Sequence, residues 1–168
     1  MTLSRLALLV LALAAQGCTG GQPARPLSGE VHLQTVLSSS QCGRLGGGTT
    51  VVLVTTDTEW HQIWRRLTGR QLPAPELPDI NFRQSRVAIV SAGRFSTGGY
   101  GLNLYRDTAS VKDGTMLLPV QLSEPAAGSV VTQALTWPCI AIAFPTTGVT
   151  RVEALGASSP LREPPLPR

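Results

Sequence analysis

The chain has 168 residues, 14% of them charged, and a formal net charge of +4. That length accommodates one domain with a sizeable core and leaves no room for a second. Lys112 is the sole lysine among 14 basic residues. The arginines are scattered, without the basic stripe and interleaved aromatics that nucleic-acid binding needs, so no nucleic-acid partner is expected. The charge favours no more than a weak attraction to anionic surfaces.

At the amino terminus Arg5 precedes an unbroken apolar run from Leu6 to Ala15. The run is shorter than the roughly 20 apolar residues that span a bilayer, and it fits the apolar region of a signal peptide. Ala15-Gln16-Gly17-Cys18 resembles the lipobox of bacterial lipoproteins, in which a small residue precedes the cysteine that is acylated. Ala15 stands where Leu is usual, and Gln16 is a less common occupant. Ordinary cleavage after Ala12-Leu13-Ala14 is the alternative. Both readings export the domain. It is expected as a lipoprotein anchored to the membrane through Cys18 and facing the periplasm, at the outer membrane rather than the inner, or else as a soluble periplasmic protein. Residues 1–17 read as signal peptide. Residues 18–29 read as the lipidated cysteine and a flexible tether, since a stretch rich in Gly, Pro and Ser cannot bury apolar area.

Export changes how the other cysteines read. With Cys18 acylated, Cys42 and Cys139 remain, an even pair in an oxidising compartment. They read as a disulfide tying the start of the domain to its last strands, or as two buried free thiols. Closing so long a loop contributes at most about 4–5 kcal/mol in the loop-entropy model. No Cys-x-x-Cys or Cys/His spacing suggests a metal, and no cofactor is expected.

Val31–Leu37 alternates apolar and polar over its first half, as a half-buried strand does. Ser38–Gly48 is a loop rich in Ser and Gly. Thr50–Thr55 is β-branched and continuously apolar, which predicts a central strand. Thr56-Asp57-Thr58-Glu59 has the form of a capping box, and Trp60, Ile63, Trp64 and Leu67 follow at i, i+3, i+4 and i+7. This predicts one amphipathic helix that ends at Gly69 and lays two tryptophans on a sheet. Leu72–Asp79 carries three prolines and must be a surface crossing loop. Ser85–Ala92 is a buried strand and Gly93–Gly101 a turn. Tyr100, Leu102 and Leu104 alternate on the strand that leaves the turn. Lys112-Asp113-Gly114 signals a hairpin whose return strand is Met116–Leu122, with Pro119 implying an edge or a bulge. Val130–Ala134 is a candidate short strand, Cys139–Phe144 a firm one, and Val149–Leu155 can close the sheet. The proline-rich tail 157–168 is expected to be disordered. These elements predict a mostly β, α+β domain over 30–156: one antiparallel sandwich or partial barrel with one amphipathic helix packed on it.

Ser96-Thr97-Gly98-Gly99-Tyr100, entered from a buried strand and left through Leu102 and Leu104, resembles the "TGGY" core of PrcB-like proteins. Val131-Thr132-Gln133-Ala134-Leu135-Thr136-Trp137-Pro138 is similar to a second segment of that family, and Trp60, Trp64 and Leu77–Phe82 match its usual lead-in. The resemblance covers about residues 50–145, with the specific motifs between 85 and 145. Cys139 stands where the family usually has an aromatic. Membership implies a non-catalytic subunit that binds and stabilises a protease, and so an envelope protein or protease as partner. On that reading the turn Phe95, Ser96, Thr97, Gly98, Gly99 and Tyr100 is the place to look for docking.

Alternatives in the chemistry are weak. A phosphate loop needs a helix after its glycines, and here a strand follows, so Gly98 and Gly99 read as positive-φ turn residues. Ser96, His61 and Asp57 can be written as a triad, but no Gly-x-Ser-x-Gly elbow supports it, and His32 and His61 read as surface residues. The acids form no metal or glycosidase constellation. The chain is therefore expected not to be an enzyme. A small periplasmic hydrolase with an unrecognised active site is the alternative.

Overall fold

A computed structural model describes residues 28–69, 71–146 and 148–160; Cys18, the expected lipidation site, lies outside them. In chain order the elements are β1 (Gly29–His32), β2 (Gln34–Ser39), β3 (Thr50–Val54), α1 (Asp57–Thr68), β4 (Ser85–Ser91), β5 (Gly101–Leu104), β6 (Thr108–Lys112), β7 (Thr115–Leu117), β8 (Val120–Ser123), β9 (Cys139–Pro145), β10 (Arg151–Ala154) and β11 (Ala157–Pro160).

The strands make a four-stranded sheet in the order β2-β9-β4-β3, a five-stranded sheet in the order β1-β6-β7-β10-β11, and a β5-β8 pair. Pairing is antiparallel except between β7 and β10. Neither sheet closes, so the architecture is sandwich-like rather than a barrel.

The residue pattern of β4 and β9 explains the layers. Ala88, Val90, Ile140, Ile142 and Phe144 point into a core shared with Val111, Met116 and Val152 of the five-stranded sheet. The alternate residues Val87, Ile89, Cys139, Ala141 and Ala143 face α1 and pack with Trp60, Trp64 and Leu67. A strand covered on both faces must be continuously apolar. The helix side of β9 is small, with two alanines and a cysteine, which leaves room for the two indoles.

The predicted stripe Trp60, Ile63, Trp64 and Leu67 is the face of α1 that packs on the sheet. The capping box forms as written: Glu59 N–H donates to Thr56 Oγ1 at 3.2 Å, and the Glu59 carboxylate accepts from Thr56 N–H at 3.3 Å. The proline-rich loop supplies free carbonyls that the indoles use. Trp60 Nε1–H donates to Pro78 at 3.0 Å and Trp64 Nε1–H to Pro75 at 3.2 Å.

Several expectations are corrected. Val31–Leu37 is two strands in different sheets, broken at Leu33, whose N–H donates to Asp107. β3 is an edge strand; it is apolar throughout because Val51 and Leu53 meet one core and Val52 and Val54 the other. The return strand divides at Pro119 into β7, paired within the five-stranded sheet, and β8, paired with β5. Val130–Ala134 is not a strand. Gly29, placed in the tether, begins β1, and residues 157–160, placed in the tail, form β11 after a turn with Leu155 and Gly156 at positive φ. The predicted hairpin stands: Asp113 (φ 50°) and Gly114 (φ 78°) make its two-residue turn.

Candidate docking face

Beyond the ends of β2 and β4, and just ahead of β9, two isolated bridges join three looser segments: Gln41 to Trp137, parallel, and Phe95 to Thr136, antiparallel. Trp137 N–H donates to Ser40, and Cys42 N–H donates back to Trp137. On the other flank Phe95 and Thr136 exchange both backbone bonds, at 2.9 and 3.0 Å, and Ala92 N–H donates to Pro138. Thr136 and Trp137 therefore lie between residues 40–42 and 92–95. The Cys42–Cys139 disulfide, spanning 97 residues with 5.9 Å between Cα atoms, pins the first flank to the start of β9.

The predicted turn sits against this platform. Gly98 N–H donates to Thr132 O at 2.8 Å, and the Thr136 hydroxyl donates to Thr97 O at 2.8 Å. Gly98 is buried, and a Cβ there would collide with the Thr132 hydroxyl. Gly99 has φ +89°, and a Cβ there would meet Pro125 at 2.8 Å. One expectation changes as a result: Gly99 alone supplies positive φ, whereas Gly98 is needed for close approach. The amides of Phe95 and Gly98 are already engaged. Phe95 and Tyr100 stack with centroids 4.0 Å apart and planes 20° from parallel, both half-buried, while Ser96 is exposed.

Residues 130–135 fail to form a strand because they cross the turn as a strap, bonded to it at Thr132, before Thr136 and Trp137 make their bridges. The strap leaves Val130 fully exposed and Leu135 48% exposed. Beside it lies an open cleft of ≈ 450 Å³ lined by Arg44, Arg94, Leu135 and Trp137. Arg44 and Arg94 escaped sequence reasoning, because only the disulfide and the Thr136–Trp137 ladder bring their loops together.

The other candidates are not part of this face. His61 Nδ1 lies 3.3 Å from Asp57 Oδ2 across one turn of α1, both exposed, and no hydrogen bond links Ser96 to His61. His32 is an exposed residue of β1. Among the described residues no three His, Cys, Asp or Glu side chains come together.

The comparisons with known proteins add one finding. A family model described as PrcB C-terminal matches residues 86–145, from within β4 to the end of β9. The match contains the turn, the strap and their mutual contacts. No curated protein and no solved structure matches the chain.

Proposed function

We propose that this PrcB-like chain is a non-catalytic docking module of the cell envelope, which binds and steadies a partner protein such as a protease. The observation that carries the reading is the face just described. The two family-like motifs pack on each other, and together they hold Phe95, Tyr100, Val130 and Leu135 at the surface on a backbone fixed by hydrogen bonds. Rigid presentation of aromatic and apolar groups lowers the entropy cost of association, and such anchors contribute about 2 kcal/mol or more each when central to an interface. Export by the leader, with anchoring through Cys18, belongs to the same proposal. The disulfide supports it, since such bonds persist in oxidising compartments.

Capture of partners by the tagged, lipidated protein from its native envelope tests this reading. Phe95→Ala should leave the melting temperature nearly unchanged and abolish the capture of a specific protein, while His61→Ala should change neither. If Phe95→Ala unfolds the domain, or if His61→Ala removes a measurable hydrolysis, the docking reading fails and the hydrolase takes its place.

A further inference from the structure

We propose that the cleft lined by Arg44, Arg94, Leu135 and Trp137 binds an acidic segment of a partner protein, one in which an apolar side chain sits beside carboxylates. This rests on the docking reading and assigns its ligand chemistry. The first argument is charge. Two arginines line one concavity, and among the described residues no carboxylate lines it with them and neither makes an ion pair. Uncompensated guanidiniums beside a partly desolvated surface favour carboxylates, which they can hold in two parallel hydrogen bonds.

The second argument is the floor. Leu135 and Trp137 are the other described residues that line it, so a ligand that satisfied only the charges would leave apolar surface wet. The ladder fixes the arrangement: Arg44 follows Cys42 on one flank of Thr136–Trp137, and Arg94 precedes Phe95 on the other. Carboxylates on either side of an apolar residue match that order. A volume of ≈ 450 Å³ lies within the range of about 300–1,000 Å³ usual for ligand sites. An anionic membrane is met better by clusters of several cations than by two arginines beside apolar side chains in one cleft.

The disulfide has a role here. It holds the segment leading into Arg44 against β9, so it should set the width of the cleft as well as stabilise the fold.

The test uses the oxidised protein and two fluorescently labelled heptapeptides, Glu-Leu-Glu flanked by glycines and its Gln-Leu-Gln counterpart. The acidic peptide should bind saturably and more weakly as salt rises, and the amide peptide at least tenfold less well. Arg44→Gln and Arg94→Gln should each weaken binding about tenfold, and the double variant should abolish it with the melting temperature unchanged. Absence of binding, equal binding of both peptides, or full binding by the double variant would overturn the assignment. So would phosphatidylglycerol vesicles bound through the same arginines while the peptide is not, since the ligand would then be a lipid surface. If a partner is captured through Phe95 and the double variant captures it equally well, the docking reading survives and the acidic ligand does not.

Discussion

Two aromatic pairs in this molecule look alike in sequence and do different work. Trp60 and Trp64 lie 5.1 Å apart, tilted by 56°, with 1% and 5% of their surface exposed. Each indole N–H is matched to a proline-loop carbonyl. Phe95 and Tyr100 stack more closely, at 4.0 Å, yet both keep part of their surface in solvent. Around the tryptophans the side chains are sealed and every polar atom of the pair is used. Around the turn the backbone is held at Phe95, Thr97 and Gly98, while the rings stay half-open. Burial of side chains serves stability; on the docking proposal, a held backbone under half-open rings serves recognition.

The sharpest way to break that contrast is to remove the sealed pair. Trp60→Ala should cost about 3–5 kcal/mol of unfolding free energy, measured by denaturant titration of the oxidised protein. An effect as small as that expected for Phe95→Ala would mean that α1 is peripheral and the comparison false. Next in size is the disulfide. Reduction, or replacement of Cys42 and Cys139 by serine, should cost about 2–5 kcal/mol, read as a shift in the denaturant midpoint. Thiol alkylation of the native oxidised protein should label neither residue.

Much of this was legible from residue patterns, for reasons that differ by region. The helix was readable because capping and the apolar stripe are local. β4 and β9 were readable because burial on both faces forces unbroken apolar runs. The edge position of β3 was not, since an edge strand covered on both faces carries the same signature. Residues 130–134 looked like a strand because β-branched composition does not distinguish a ladder from a strap that makes single bonds. The split at Leu33 and the extra strand at 157–160 depend on which sheet accepts the chain, which is a tertiary choice. At the candidate site, the turn was visible through its glycines and aromatics. Its engagement with Thr132 and Thr136, and the meeting of Arg44 with Arg94, needed the fold.

A third experiment tests the locked backbone. Gly98→Ala forces a methyl group onto the Thr132 hydroxyl at a buried position, so that side chain must turn away or the strap must shift. It should cost about 1–3 kcal/mol, as overpacking does, and should weaken partner capture as well. Gly47→Ala is the control, because a Cβ there meets nothing within 4 Å. If Gly98→Ala is as harmless as the control, the turn is not held by the strap.

The smallest effect expected belongs to the helix cap, and it asks whether α1 is held by packing or by its own ends. Burial alone would raise the Glu59 pKa, but hydrogen bonds from the Thr55 and Thr56 amides and hydroxyls outweigh it and hold the carboxyl below its ordinary value. A folded pKa below the unfolded one means that the fold binds the carboxylate form more tightly. The contribution is therefore complete at neutral pH, and it is lost as pH falls through the folded value. Glu59→Gln should cost roughly 0.5 kcal/mol at pH 7, since the group is exposed and an amide oxygen can still accept part of the box. The difference between wild type and variant should shrink as pH is lowered past the ordinary carboxylate range, while the cost of Trp60→Ala persists. Stability curves for the three proteins across that range decide the matter. A Glu59→Gln loss near that of Trp60→Ala, or one that does not change with pH, would show that the helix is fixed by its cap and not by the indoles beneath it.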